Sequence, residues 1–161
     1  MKMFLKPLLI VLKSFTQINL NSDIEDSLPK ILSEKEFVAR FCFERDFNPE
    51  TGNPKTKVFM PELYQDKYET SVCRKTNISE DRIWEIAKIA RKPPIGRADL
   101  SVSVILEKKL TAESAPNIEL NYPEHSIVIG WPVGQEEAEK AKRKSIAQDL
   151  AFCAKSVKIP S

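Results

Sequence analysis

Two apolar stretches decide the fold of this chain: Gly96-Arg97-Ala98-Asp99-Leu100-Ser101-Val102 and His125-Ser126-Ile127-Val128-Ile129-Gly130-Trp131-Pro132. From residue 100 to residue 104, apolar residues alternate with serines, which is typical of a strand with one buried face. The second stretch is apolar on both faces, as in a strand that lies inside a sheet. We therefore predict a strand at each stretch, and Gly96 permits a tight entry into the first of them.

Patterns on either side of these stretches predict three more strands and two helices. Alternation from Val38 to Phe47, followed by a turn-rich segment and a short apolar run, indicates a hairpin. Ser79 is a suitable N-cap for a helix that ends before Pro93. The remaining predicted elements are strands over 57–60 and 69–74 and a final helix over 134–157.

The order of these elements predicts the fold class. We expect an α+β fold with a mostly antiparallel five-stranded sheet, two helices packed on one face of it, and a short N-terminal helix. A length of 161 residues suits one domain. We expect residues 1–36 to form an N-terminal amphipathic helix and linker, and residues 37–161 to form a single α+β domain.

The first twenty residues combine a basic face with an apolar run. Lys2, Lys6 and Lys13 fall on one side of a helix, and the run Leu8–Leu12 is too short to span a membrane. One interpretation is a helix that binds a membrane surface or a partner. The other, which we favour, is a helix packed on its own domain. We expect no stable membrane insertion.

Composition limits the kinds of ligand that the chain binds. The net charge is +2 and the basic residues are scattered, so the composition does not demand a nucleic-acid partner. Cys42, Cys73 and Cys153 match no zinc pattern, and a single histidine cannot complete one. We therefore expect no metal and no cofactor. Three cysteines without a disulfide framework favour a cytoplasmic protein with reduced thiols.

His125 is the only histidine of the chain, and it begins the second stretch. Imidazole groups act as general acids or bases near neutral pH. If the two strands lie side by side, Asp99 would orient the imidazole and Arg97 would hold an anionic oxygen through two hydrogen bonds. Such a site, without a metal, suits phosphoryl transfer, including RNA cleavage. The alternative is that His125 caps a strand while Arg97 and Asp99 pair with each other.

Three arginines near strand ends form a second candidate site. If Arg40, Arg74 and Arg97 share an exposed face, they would present a basic surface that binds phosphate or another anion. Arg74 also follows Cys73, and a neighbouring arginine lowers the pKa of a thiol. Cys73 is therefore a candidate nucleophile with His125 as its base, although cysteine side chains are more often buried and inert.

The two opening stretches, together with Thr70-Ser71-Val72-Cys73-Arg74 and Ile83-Trp84-Glu85, resemble a group of small bacterial proteins of unassigned function. The resemblance covers residues 37–157 and leaves the first 36 residues outside. It implies a compact bacterial domain and no particular chemistry.

Two classes of function follow from these observations. The first is a small bacterial accessory or interaction module that binds a protein partner or an anionic ligand such as nucleic acid. The second is a metal-independent hydrolase or ribonuclease-like enzyme that uses His125 with Arg97 and Asp99. We prefer the first, because sequential strands usually pair antiparallel, which places their starts at opposite ends of the sheet. The sequence leaves open whether the protein is an enzyme and how many copies associate.

Overall fold

A seven-stranded antiparallel sheet with three helices forms the part of the chain described by the computed structural model, residues 28–89 and 92–160. The strands are β1 (Phe37–Cys42), β2 (Glu62–Tyr64), β3 (Lys67–Arg74), β4 (Gly96–Ser101), β5 (Thr111–Ser114), β6 (His125–Ile129) and β7 (Lys155–Lys158). The helices are α1 (Glu80–Ala87), α2 (Val102–Glu107) and α3 (Glu137–Cys153). The predicted α+β class is confirmed. The predicted N-terminal helix lies outside the described residues.

The strands of the sheet do not follow chain order. Their order is β5-β6-β3-β1-β4-β7, and every neighbouring pair is antiparallel. β2 pairs with the start of β3 through a two-residue turn at Gln65 and Asp66, both with positive φ, as in a type I′ hairpin. The pairing of β1 with β3 covers Val38 and Ala39, and beyond Ala39 these two strands separate.

The sheet has seven strands rather than the predicted five because its short elements carry little pattern. The run 57–60, predicted as a strand, forms a 3-10 turn over Thr56–Val58, and Val58 and Phe59 are buried in the core. The sequence patterns do not predict β2, β5 and β7, which are three or four residues long. A strand of this length with one or two apolar side chains shows no clear alternation.

The strand predicted over residues 100–104 ends at Ser101. The Ser101 hydroxyl accepts a hydrogen bond from the Ser103 N–H (3.3 Å) and caps helix α2. Val102 and Ile105 are the buried residues of this helix, so its apolar pattern follows helical spacing rather than strand alternation.

Helix α3 is shorter than the predicted helix over 134–157, because the chain leaves the helix at Ala154 and continues as β7. β7 pairs with β4 and approaches it closely at Gly96. A Cβ atom on Gly96 would lie 2.7 Å from the carbonyl oxygen of Val157. The glycine therefore permits this edge strand to pack against β4.

Helices cover both faces of the sheet, which corrects the prediction that they share one face. On the face that carries Ala98 and Leu100, helices α2 and α3 close the main core, in which Ala147 and Leu150 are buried. On the opposite face, Ile86 of α1 packs against β1 and β3 in a smaller cluster. We call these faces the α3 face and the α1 face. β1 carries apolar side chains on both sides because a hydrophobic cluster covers each side.

Residues 29–36, which the sequence assigns to a linker, contact the outer edge of the sheet. Ile31 forms a bridge with Glu113 of β5, and the Leu32 N–H donates to the Ala112 carbonyl oxygen (3.0 Å). The Leu32 side chain belongs to the main core. A single buried leucine in a polar segment has no periodicity, so the sequence does not reveal this contact.

Candidate functional site

Arg97 and Asp99 lie together on the α1 face of β4 and pair with each other. Arg97 Nε donates to Asp99 Oδ1 (2.8 Å), and Nη1 and Nη2 donate to the two carboxylate oxygens of Glu80 (2.6 and 2.9 Å). The Trp84 ring centroid lies 4.9 Å from the guanidinium, and Lys75 Nζ lies 2.5 Å from Asp99. Burial opposes the charged form of Arg97, but its two carboxylate acceptors raise the pKa above its ordinary value. These contacts occupy the groups that the predicted site would present to a substrate.

His125 lies on the same face as this pair but does not reach it. In the strand register, His125 is opposite Cys73, and Cys73 is opposite Ala39. Ala39 is in turn opposite Asp99, so the four residues form one row across four strands. Three strand spacings separate His125 from Asp99, a distance of about 14 Å. The structure does not bring His125 to Arg97 and Asp99, because β3 and β1 lie between their strands.

Two neighbours orient the His125 ring. Nδ1 lies 2.5 Å from the Ala115 carbonyl oxygen. Because a carbonyl oxygen only accepts hydrogen bonds, we assign the proton of the neutral ring to Nδ1, and Nε2 is then the acceptor. The Tyr122 ring meets the imidazole edge-on, with centroids 5.3 Å apart. His125 is therefore a positioned imidazole whose Nε2 accepts a hydrogen bond when the ring is neutral and donates one when it is protonated.

Arg74 is buried in an ion pair with Glu36. Its Nε and Nη2 donate to the two carboxylate oxygens (2.7 and 2.8 Å), and its Nη1 donates to the Pro29 carbonyl oxygen (2.9 Å). The Thr76 hydroxyl and the Ser33 N–H (2.8 Å) also donate to Glu36. Burial raises the pKa of this carboxyl, but the four donors outweigh burial and lower the pKa to about 2. Arg74 thus joins residues 29–36 to the sheet, and each of its three guanidinium nitrogens already donates within the chain.

The basic surface predicted for Arg40, Arg74 and Arg97 does not form. Arg74 lies on the α3 face and Arg97 on the α1 face, and each is paired with a carboxylate of the chain. The position of an arginine in the sequence does not reveal the carboxylate that pairs with it, which is 38 residues away for Arg74. Arg40 differs from the other two, since its side chain is 26% exposed.

Arg40 lies where β1 and β3 separate. Its Nη1 donates to the Ser71 carbonyl oxygen (2.6 Å), which anchors the guanidinium to β3. Its Nη2 is 3.8 Å from Glu62 Oε1, and the Glu62 side chain is 84% exposed. The guanidinium therefore has one firm contact with the backbone and one loose contact with a solvent-exposed carboxylate.

A cleft of about 350 Å³ opens beside this guanidinium, and we call it the Arg40 cleft. Its charged, titratable and aromatic lining residues are Arg40, Lys57, Asp46, Cys73, His125, Phe41, Phe43 and Tyr122. Lys57 Nζ lies 2.7 Å from Asp46 Oδ1. Sequence reasoning missed Lys57, because the run that contains it resembles a strand and the 3-10 turn instead presents it to the cleft.

A second feature is the part of the α1 face formed by β2, β3, β5 and β6, over which no described helix packs. We call it the open face and define it by Tyr64, Glu69, Glu113, Ile127 and Ile129. Two shallow clefts of about 470 and 590 Å³ run along it. Ile127 and Ile129 belong to neither core cluster of the described residues. Two apolar side chains that are more than half exposed border it, Tyr64 and Val133.

Burial makes the Cys73 thiol a poor nucleophile. The side chain is fully buried, and burial raises its pKa to about 12. Cys42 is buried in the same way, with its pKa also raised to about 12. Cys153, in contrast, is exposed. The candidate nucleophile role of Cys73 therefore has no support from its surroundings.

We expect iodoacetamide at about pH 8 to modify Cys153 alone in the folded protein, because the buried thiols stay protonated and shielded. Mass spectrometry of the digested protein locates the adducts. The same reaction in urea is the control, and there all three cysteines should react. Rapid modification of Cys73 in the folded protein would contradict this expectation and restore Cys73 as a candidate nucleophile.

Comparison of the chain with protein-family models, with curated proteins and with solved structures finds no match in any of the three. The resemblance to small bacterial proteins stays a prediction. None of the helices in the described ranges is long and apolar enough to cross a bilayer. Within residues 28–89 and 92–160, no group of three or more His, Cys, Asp and Glu side chains is arranged to hold a metal ion. The functional conclusions below therefore depend on side-chain geometry.

Proposed function

We propose that this protein is a non-catalytic binding module whose open face holds a segment of a protein partner. The observation that carries the proposal is the pair Ile127 and Ile129, which are half-buried and belong to neither core cluster of the described residues. Exposed Tyr64 and Val133 extend this apolar area. Contiguous apolar surface of this kind is typical of protein interaction sites.

The charges around the open face define the chemistry of the partner segment. Glu62, Glu69 and Glu113 border its two clefts, and Arg40 and Lys67 offset part of their charge. A segment that offers apolar side chains to the isoleucines and an amine or guanidinium to a glutamate complements this surface. We therefore propose an apolar, weakly basic protein segment as the partner. Reduced thiols at all three cysteines support a cytoplasmic setting.

The enzyme alternative has less support. A hydrolase built on His125, Arg97 and Asp99 needs the three groups around one reacting atom. The guanidinium and the Asp99 carboxylate are bonded to each other, and His125 is three strands away. The carboxylic acid in the Arg40 cleft, Asp46, is paired with Lys57 rather than with His125.

Selection of peptides displayed on phage tests the proposed function. The double variant Tyr64→Asp/Val133→Asp places charge on two exposed positions that border the open face, so the fold is kept. Phe152→Asp, at an 86% exposed position of α3, is the matched control. We expect wild type to enrich apolar, weakly basic peptides that bind the control equally and the double variant at least tenfold more weakly. Enriched peptides that bind the double variant as tightly as wild type would overturn the proposal. A selection that enriches no peptide would overturn it as well.

An RNA cleavage assay tests the alternative. We expect a fluorescently labelled RNA to stay intact in the presence of the protein. Cleavage that His125→Ala abolishes would establish the enzyme and contradict the non-catalytic proposal.

A further inference from the structure

From the contents of the Arg40 cleft, we infer a second binding site, which takes a small aromatic anion: a phosphate or carboxylate carried on a flat ring. The cleft lies beyond the open face, where β1 and β3 separate, and its aromatic walls Phe41, Phe43 and Tyr122 are absent from the linings of the two open-face clefts. Arg40, Ser71 and His125 line both this cleft and the smaller open-face cleft, so the two proposals share Arg40 and differ in the aromatic and isoleucine side chains they use.

The charge of the Arg40 cleft favours an anionic ligand. Lys57 and Asp46 form an ion pair inside the cleft, with Nζ and Oδ1 2.7 Å apart, so their charges cancel. The nearest carboxylate to Arg40 is Glu62, at 3.8 Å and largely in solvent. The positive charge of Arg40 is thus only weakly compensated, and the cleft as a whole is cationic. Anions are attracted to such a site.

Arg40, unlike Arg74 and Arg97, has guanidinium nitrogens available to a ligand. All three guanidinium nitrogens of Arg74 and of Arg97 donate to acceptors within the chain. Arg40 instead makes one hydrogen bond among the described residues, from Nη1 to the Ser71 carbonyl oxygen. That bond anchors Nη1 to β3 and leaves Nε and Nη2 to donate. A phosphate or carboxylate accepts two such hydrogen bonds side by side.

The shape of the Arg40 cleft and its aromatic walls suit a ligand with a flat ring. Its volume of about 350 Å³ falls within the usual range of small-ligand pockets, about 300–1,000 Å³. Phe43, at the mouth, is 37% exposed, and Phe41 and Tyr122 line the interior side. Aromatic side chains stack against flat ligand rings. His125 also lines the cleft and adds a polar ring to its wall.

Calorimetric titration with four probes tests the inference: adenosine monophosphate, benzoate, adenosine and inorganic phosphate. We expect at least one of the two ring-bearing anions to bind saturably, and adenosine and inorganic phosphate to bind at least tenfold more weakly. The two anions separate a phosphate ligand from a carboxylate ligand. No saturable binding of either anion up to millimolar concentration would overturn the inference.

Substitutions locate the binding within the cleft. Arg40→Gln should weaken the binding of the ring-bearing anion at least tenfold. Arg45→Gln, which removes the same charge from an exposed position nearby, should leave binding unchanged. Phe43→Ala gives a second measurement if Arg40→Gln does not fold: it should weaken the ring-bearing anion and leave inorganic phosphate unaffected. Equal affinity in Arg40→Gln and Arg45→Gln would contradict the site. The Tyr64→Asp/Val133→Asp variant changes no residue of the Arg40 cleft and should bind the anion normally, so this inference and the proposed function fail separately.

Discussion

Replacing Glu36 by glutamine is expected to lower the free energy of unfolding by about 3–5 kcal/mol. Glu36 is the carboxylate partner of Arg74, and their side chains are 11% and 5% exposed. Glutamine keeps the shape of the side chain, but the buried guanidinium loses its counter-charge and one acceptor oxygen becomes a donor. Urea denaturation followed by circular dichroism measures the change. Glu34→Gln, at an exposed position of the same segment, is the matched control and should change stability by less than about 0.5 kcal/mol.

The same pair predicts how stability depends on pH. The Glu36 carboxyl has a pKa of about 2 in the folded protein, compared with an ordinary value of 4.5. A lowered pKa in the folded state stabilises the protein fully above the ordinary value, and this stabilisation is lost as the pH falls through the folded value. The stability difference between wild type and Glu36→Gln should therefore be constant above pH 4.5 and shrink as the pH falls towards 2. A difference that does not vary over this range would show that Glu36 is not the titrating partner of Arg74.

Truncating Leu150 to alanine is expected to lower the free energy of unfolding by about 2–5 kcal/mol. Leu150 is fully buried where α3 packs on the sheet, so its removal loses apolar burial and leaves a cavity. Thermal unfolding measures the change. Phe152→Ala removes a larger side chain from the same helix at an 86% exposed position, and it should change stability by less than about 0.5 kcal/mol. An unchanged melting temperature in Leu150→Ala would mean that α3 does not close the core.

The sequence reveals elements that carry a repeated pattern. The alternation in β1 and the capped apolar stripe of α1 both predict the observed structure. The serine–valine alternation after Leu100 fits a strand and a helix equally for a few residues. The segment forms a helix because Ser101 caps it and because Ile105, three residues beyond Val102, is buried on the same side. Short strands such as β5 depend on pairing with distant residues, which no local pattern records.

The candidate site shows the same division between local and distant contacts. Arg97 and Asp99 are two residues apart on one strand, so strand geometry alone places them on the same face. The position of His125 depends instead on the order of strands in the sheet, and two strands that are distant in sequence separate it from Asp99. The accessibility of Arg40, compared with Arg74, depends on where carboxylates such as Glu36 fall in three dimensions. The sequence therefore indicates which arginines and which histidine matter, but not the groups that each of them contacts.

The place of β7 in the sheet has a consequence for the synthesis of the protein. β4 obtains its outer partner from residues 155–158, which follow every other strand in chain order. On the ribosome, β4 therefore emerges well before the strand that protects its hydrogen-bonding edge. An unpaired edge is a template for association with other chains. The nascent chain must pass through this exposed stage each time it is made, and the close packing of Val157 against Gly96 ends it.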